Sequence, residues 1–386
     1  MRAAGNGALL GGRVVASRLV LICIIAIVCF AGCKSNNVRS SRLEPNQSGV
    51  CTAVTDFLRG QNLPDLESVE AWQNEYGPGL KLTTAHYEIL TTLLEPLMLR
   101  RIPGFVESTY RAYNSQLPEP VETPSTRSGA VPGLCAQASR APARDLHGRF
   151  VVYLFADRAQ WEAFTRSFAG EQAELFCRIQ AGAYYHQNAC VAYDIGPDRT
   201  FSVLGHEGWH QFDDRHFKFR LPSWLDEGVA MLFETQQTED GAFHFEPADN
   251  RYRLEALKRT LDRDRMMPLA ELIATTPGDV LATDQTEAVM AFYSQSYALV
   301  RFLREADSGK RLASYRRLLA DGLHGDWPLD ETSRKIAADR SVPRNILWNN
   351  IVGLILFQEY VGDDFEPVEQ EYMAFCREIT QQDDDK

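Results

Sequence analysis

The amino-acid sequence predicts an α+β fold, a small α/β lobe followed by a mostly helical lobe, on three observations. Short apolar runs of strand character alternate with helix-period stretches as far as Ile195. Beyond Asn250 the apolar residues recur at helical spacing instead, most clearly as Val289, Phe292, Leu299 and Phe302. Between these halves stands His206-Glu207-Gly208-Trp209-His210, whose residue types and spacing belong to metal chemistry.

Residues 1–32 have the layout of a targeting segment. Arg2, Arg13 and Arg18 are followed by an apolar run of about 14 residues from Leu19, too short to span a bilayer comfortably. The run ends in Ala31-Gly32-Cys33, which resembles a bacterial lipobox with Phe30 in place of the usual Leu. That resemblance implies a lipoprotein signal peptide, with Cys33 lipidated as the mature N-terminus and the protein anchored in the membrane of the cell envelope. A plain secretory signal or an uncleaved anchor is the alternative, and each version exports the domain. Lys34 after the cysteine is, by resemblance to envelope lipoproteins, compatible with an outer membrane. Residues 33–50, rich in Ser, Asn and Arg without apolar periodicity, read as a flexible tether.

The chain carries 40 Lys+Arg against 52 Asp+Glu. Without the three arginines of residues 1–32 the balance is 37 against 52, a net −15, which argues against nucleic acid as a partner. Five cysteines follow Cys33, an odd number with no Cys-x-x-Cys spacing, so neither a structural zinc knuckle nor a redox pair is expected. Cys177 and Cys190 either close a loop in an oxidising envelope or stand as two inert buried thiols.

Residues 51–82 read as a helical preface ending at Tyr76-Gly77-Pro78-Gly79, and Thr83 to Thr92 as one strand. A helical stretch then reaches Leu117, interrupted near Ile102-Pro103-Gly104. Residues 118–148, with five prolines and no periodicity, read as an exposed insertion inside the α/β lobe of residues 83–213. Arg149 to Asp157 is a buried strand, Arg158 to Phe168 an amphipathic helix, and Asn188 to Ile195 the last strand, whose lobe offers an edge for an extended peptide. His86, Tyr184, Tyr185 and His186 read as packing or turn residues. The helical lobe is expected over 214–379, after which 380–386 form a frayed tail.

Gly196-Pro197-Asp198 reads as a turn and Thr200 as the N-cap of a helix running through Phe212, which places the motif on that helix. His206 and His210, at i and i+4, then leave one face a turn apart and can share one metal ion. Glu207 reaches the same side, placed to take a proton from water rather than to ligate. Downstream, Pro222 opens a second helix, Ser223 to Glu234, which brings Glu227 as the natural third ligand. The same spacing leaves other third ligands open: His216, ten residues after His206, or Asp213, Asp214 or Asp226. Against His216, Asp213 stands where a three-histidine motif needs Gly, and Met231 lies inside a helical pattern rather than a separate turn.

His-Glu-x-x-His followed by Trp224-Leu225-Asp226-Glu227-Gly228-x-Ala230 resembles the gluzincin metallopeptidases, with a shorter loop of sixteen residues between His210 and Glu227. From Thr84 to Glu305 the chain is also similar to a group of secreted bacterial proteins with the same HEGWH and WLDEG signatures. The resemblance implies a zincin-like fold with the zinc site between the two lobes, and one Zn²⁺ held by His206, His210 and Glu227. It further implies Glu207 as the catalytic base and Glu234 as a carboxylate supporting the ligands. Tyr293 in Tyr293-Ser-Gln-Ser resembles the oxyanion-stabilising tyrosine of zinc aminopeptidases, with Gln295 and Ser296 replacing the usual Lys and Gly. The expected activity is hydrolysis of peptide bonds in a peptide or protein substrate. The alternatives are a metzincin-like peptidase using His216, or a catalytically silent binding or scaffold protein on the same fold.

Overall fold

A computed structural model of the protein describes residues 47–118, 148–239, 242–281, 286–342 and 348–381. Cys33, Cys135 and most of the tether and of the insertion lie outside these residues, as does the tail beyond Gln381. The fold is α+β: a six-stranded mixed sheet and a larger set of helices. No described helix is long and apolar enough to cross a membrane.

The chain begins with α1 (Gln47–Arg59), β1 (Ser68–Ala71), β2 (Leu80–Thr83) and β3 (Tyr87–Thr91). The region expected to be a helical preface is therefore helical only to Arg59 and already contributes two strands. The segment 83–92 is a hairpin's second arm rather than one strand. Its turn is closed by Thr84 N–H donating to Tyr87 O at 2.9 Å and by the Thr84 side chain accepting from Tyr87 N–H at 3.0 Å. The helices α2 (Pro96–Leu99) and α3 (Ile102–Asn114) follow, separated by the interruption that Pro103 imposes near the first turn of the second.

Next come β4 (Phe150–Phe155), α4 (Arg158–Phe168), α5 (Ala173–Phe176), β5 (Ala183–His186) and β6 (Ala189–Tyr193). The sheet order is β1-β2-β3-β4-β6-β5, with β4 parallel to both β3 and β6 and the outer pairings antiparallel. A strand that is apolar almost throughout, as β4 is, suits a central position covered on both faces. Between β5 and β6 the two-residue turn Gln187-Asn188 has φ of 47° and 64°, the pairing that closes a tight hairpin. Trp161 Nε1–H donates to Val191 O at 3.2 Å and pins α4 to β6.

The long helix α6 (Pro197–His216) leaves β6 directly. It starts at Pro197, with Gly196 at φ 96° before it, so Thr200 is not the cap that the sequence suggested. Thr200 Oγ1 instead accepts from Ile195 N–H at 3.0 Å and bonds Asp194 Oδ1 at 3.1 Å, tying the first turn back to the strand end. Farther along, the Gln211 amide donates to Val151 O and Asn188 O at 3.0 and 2.8 Å, which locks the helix against the sheet.

The rest is helical apart from one hairpin, β7 (Gln236–Glu239) with β8 (Ala242–Phe245). Its helices are α7 (Ser223–Ala230), α8 (Arg251–Asp262), α9 (Leu269–Ala274), α10 (Pro277–Leu281), α11 (Thr286–Gly309), α12 (Leu312–His324) and α13 (Glu331–Ala338). After a π-helical stretch, Asn349–Gly353, come Leu354–Tyr360 and Phe365–Gln381. Residues 380–381 are thus the end of a helix. Cys51, Cys177, Cys190 and Cys376 are all free thiols, so Cys177 and Cys190 are not joined. Burial pushes the Cys190 thiol well above its usual range.

Candidate metal centre

Two helices make the site. α6 turns His206, Glu207 and His210 toward α7, and α7 returns Glu227 to them; all four side chains are buried. Their approach depends on glycines within both motifs. A Cβ at Gly208 would strike the Tyr113 hydroxyl, which donates to Gly205 O at 2.6 Å and holds α3 against α6. A Cβ at Gly228 would lie 2.5 Å from both Ser296 O and Val300 Cγ2, because α7 packs directly on α11 there. Gly228→Ala is therefore expected to cost about 1–3 kcal/mol as the two helices are forced apart. Its thermal or denaturant midpoint, compared with the wild type, checks this; an unchanged midpoint would rule out the close helix contact.

His206, His210 and Glu227 form a buried group whose ligand atoms lie within 4.8 Å of one another, a geometry that can hold one metal ion. Glu227 Oε2 is 3.3 Å from His206 Nε2 and 3.7 Å from His210 Nε2. Ligand bonds of ~2.1 Å at tetrahedral angles would separate donors by ~3.4 Å, between these two distances. The same three atoms are buried and make no hydrogen bond, as are both oxygens of Glu207. Orphaned buried polar atoms are rare, and here three of them lie within 4.8 Å of one another. Two imidazole nitrogens and one carboxylate oxygen form a donor set that fits zinc and leaves room for a further ligand.

The outward ring nitrogens are each held by a carboxylate. His206 Nδ1 is 2.9 Å from Glu234 Oε1, and His210 Nδ1 is 3.0 Å from Asp226 Oδ1. Such partners fix ring orientation and leave the opposite nitrogen facing the metal position. Asp226 also accepts from Trp209 Nε1–H at 3.1 Å. Glu234 ends the 3-10 turn Met231–Phe233 after α7, where Arg253 grips it through Nε and Nη2 at 2.8 and 2.6 Å. The Asn250 amide, at the cap of α8, adds a bond at 2.9 Å.

Electrostatics follow from this arrangement. Burial alone would raise the Glu234 carboxyl, but Arg253 and His206 outweigh it and hold the value down to about 2. Burial raises Glu207 to about 7, with His206 and His210 opposing, Glu227 adding to the rise and the Tyr185 amide on β5 opposing it. Burial would depress both histidines, yet Glu227 and Glu234 drive His206 upward, and Asp226 and Glu227 do the same for His210. Four carboxylates crowd two imidazoles and one guanidinium, an excess of negative charge that a divalent cation relieves.

The other proposed ligands are engaged elsewhere. Asp226 supports His210 from behind. Asp213 and Asp214 lie 3.8 and 3.6 Å from Arg340 Nη1, and Asp214 also accepts from the Tyr185 hydroxyl at 2.8 Å. His216 packs its ring against Phe212 and Phe150, where burial, Arg215 and His86 lower its pKa to about 4. It is not in the metal-capable group among the described residues.

No family model matches this chain, and no curated protein matches it either. Tyr293 lies buried on α11 with its ring 5.6 Å from the Arg253 guanidinium, on the side of the site held by Glu234. Gln295, two residues on, clamps Met267 through its backbone N–H at 2.8 Å and its carbonyl at 3.0 Å. Sequence reading missed Arg253 and Asn250 and gave Asp226 only as an alternative ligand. The one signal was that metal-bound histidines need an outer acceptor, for which a carboxylate beside the third ligand was a candidate.

Proposed function

We propose that this chain is a zinc-dependent peptidase of gluzincin type, exported to the cell envelope. The observation that carries the reading is the buried His206, His210, Glu227 group with the buried Glu207 carboxylate beside it. A zinc ion bound there would supply a Lewis acid that acidifies water and polarises a carbonyl. The chain's own residues do the rest. His206, His210 and Glu227 would hold the ion, while Asp226 and Glu234 orient the rings by accepting their Nδ1–H. Arg253 and Asn250 keep Glu234 in place. Glu207 takes the proton of the attacking water on a carboxylate oxygen and returns it to the leaving amine. The Tyr293 hydroxyl donates to the developing oxyanion.

The zincin-like arrangement draws support from the path of the chain, in which α6 follows the sheet directly and α7 comes from the helical part. The edge strand β5 bears on the substrate: its Tyr185 amide is near enough to influence Glu207, so a peptide paired with that edge would lie beside the base. The deciding experiment is cleavage of a broad peptide library by the purified chain with and without chelator. Zinc-dependent cleavage supports the peptidase; a zinc-loaded chain that cleaves nothing would make it a binding or scaffold protein on this fold.

Envelope anchoring rests on the basic, apolar, Ala-Gly-Cys order of residues 2–33. Cys33→Ser is expected to move the protein from the detergent phase to the aqueous phase, or to leave it unprocessed, in a phase-partition assay. A wild-type protein already found in the aqueous phase after export would overturn the lipid anchor.

A further inference from the structure

We propose that the groove beside the β7–β8 hairpin binds an extended peptide ending in an apolar residue with a free carboxylate. The groove holds about 440 Å³ between α3, β8 and the turn that links Glu227 to Glu234, with Arg304 of α11 in its wall. Phe233, Phe243 and Phe245 give it an apolar side, and Arg111 and Arg304 a cationic one. Among the described residues no Asp or Glu lines it, in a chain of net charge −12.

The two arginines differ. Arg111 donates to Ser108 Oγ at 3.0 Å and lies 3.9 Å from Asp65, at the limit of an ion pair. Arg304 makes no ion pair with a described residue, and its Nη1 is buried without an acceptor. A carboxylate, able to take two parallel bonds from a guanidinium, matches the charge that the partly buried Arg304 presents in the groove wall. The backbone supplies a second, independent feature. All of β8, Ala242–Phe245, lines the groove, and among the described residues β8 pairs only with β7. Among the described residues no strand pairs with its outer row of N–H and C=O groups, which can take a further strand. A small aryl or alkyl carboxylate would satisfy Arg304 and the phenylalanines but leave that edge unused, which favours a peptide of about four residues, the length of β8. The proposal stands on the groove's own residues and does not depend on peptidase activity.

The test is calorimetric titration of the full chain carrying Glu207→Gln, so that no probe is turned over. The probes are N-acetyl-Ala-Ala-Val-Phe as the free acid, the same peptide as its C-terminal amide, and 3-phenylpropanoate. Saturable binding of the acid is expected, with the amide and 3-phenylpropanoate each about tenfold weaker or more. Arg304→Gln should weaken the acid about tenfold and leave the amide unchanged, and Arg304→Lys should fall between. Equal binding of acid and amide, no saturation by millimolar peptide, or indifference to Arg304→Gln would overturn the site. Binding of 3-phenylpropanoate as tight as that of the peptide would overturn the strand pairing. Should both Arg304 variants fail to fold, the comparison of acid, amide and 3-phenylpropanoate on the chain with Arg304 intact still decides.

Discussion

Replacing Glu207 by Gln is expected to leave about one zinc ion per chain while cutting peptide hydrolysis by ~10²–10⁴-fold or more. The expectation follows from placement: Glu207 is buried next to His206, and it is not among the three residues whose atoms form the metal-capable group. The amide keeps its volume and removes its capacity to carry a proton. Buried and flanked by Glu227, the acid is raised to about 7, despite the nearby histidines. The measurements are zinc content by elemental analysis and kcat/KM on a library-derived peptide. Tyr293→Phe is the companion: it retains zinc and base, and loses roughly 10²–10³ in kcat with little change in KM if the hydroxyl donates to the oxyanion. Wild-type hydrolysis by Glu207→Gln would sink the mechanism. Unchanged turnover in Tyr293→Phe would leave Glu207 in its role and reduce Tyr293 to a ring packed on Arg253.

How much of this was legible in the sequence depends on the range of the interaction. The i, i+4 histidines are a local geometric fact, and a helix containing them must put both rings on one face. The third member of the metal-capable group was readable because Pro222 announces a helix start and Glu227 lies within the next two turns. Of the support of that site only Glu234, which the resemblance implied, was readable. Arg253 reaches Glu234 across 19 positions and Tyr113 touches Gly205 across 92, contacts that only the packing of α8 and α3 creates. The strand errors have a different origin. β1 is a four-residue edge strand with only one buried side chain, too short and too polar for alternation to stand out. In β2 and β3 the alternation was present, but the tight Thr84 turn joins them closely enough that 83–92 reads as one run. Helix α6 shows the reverse failure, since Pro197 was a valid first-turn residue and the Gly-Pro-Asp reading as a separate turn displaced it.

The second large effect concerns the metal itself. Glu227→Ala is expected to abolish stoichiometric zinc binding, whereas His216→Ala retains it. Between these extremes, Asp226→Asn and Glu234→Gln should each weaken zinc by roughly 10–100-fold, the usual consequence of losing an outer carboxylate partner of a histidine ligand. The grading is what discriminates. Glu227 contributes the oxygen 3.3 and 3.7 Å from the two Nε2 atoms, while Asp226 and Glu234 touch only the Nδ1 atoms on the far sides of the rings. If Asp226 were the true third ligand, Asp226→Asn would lose the metal outright and Glu227→Ala would show the milder loss. If the three-histidine reading held, His216→Ala would empty the site, which would require its ring to leave the pocket formed by Phe150 and Phe212. Competition with a chromophoric chelator measures each affinity, and circular dichroism of the metal-free proteins separates a lost ligand from a lost fold. That control matters most for Glu234→Gln, because it also takes away the carboxylate that neutralises a buried Arg253, and an uncompensated buried charge is strongly destabilising in its own right.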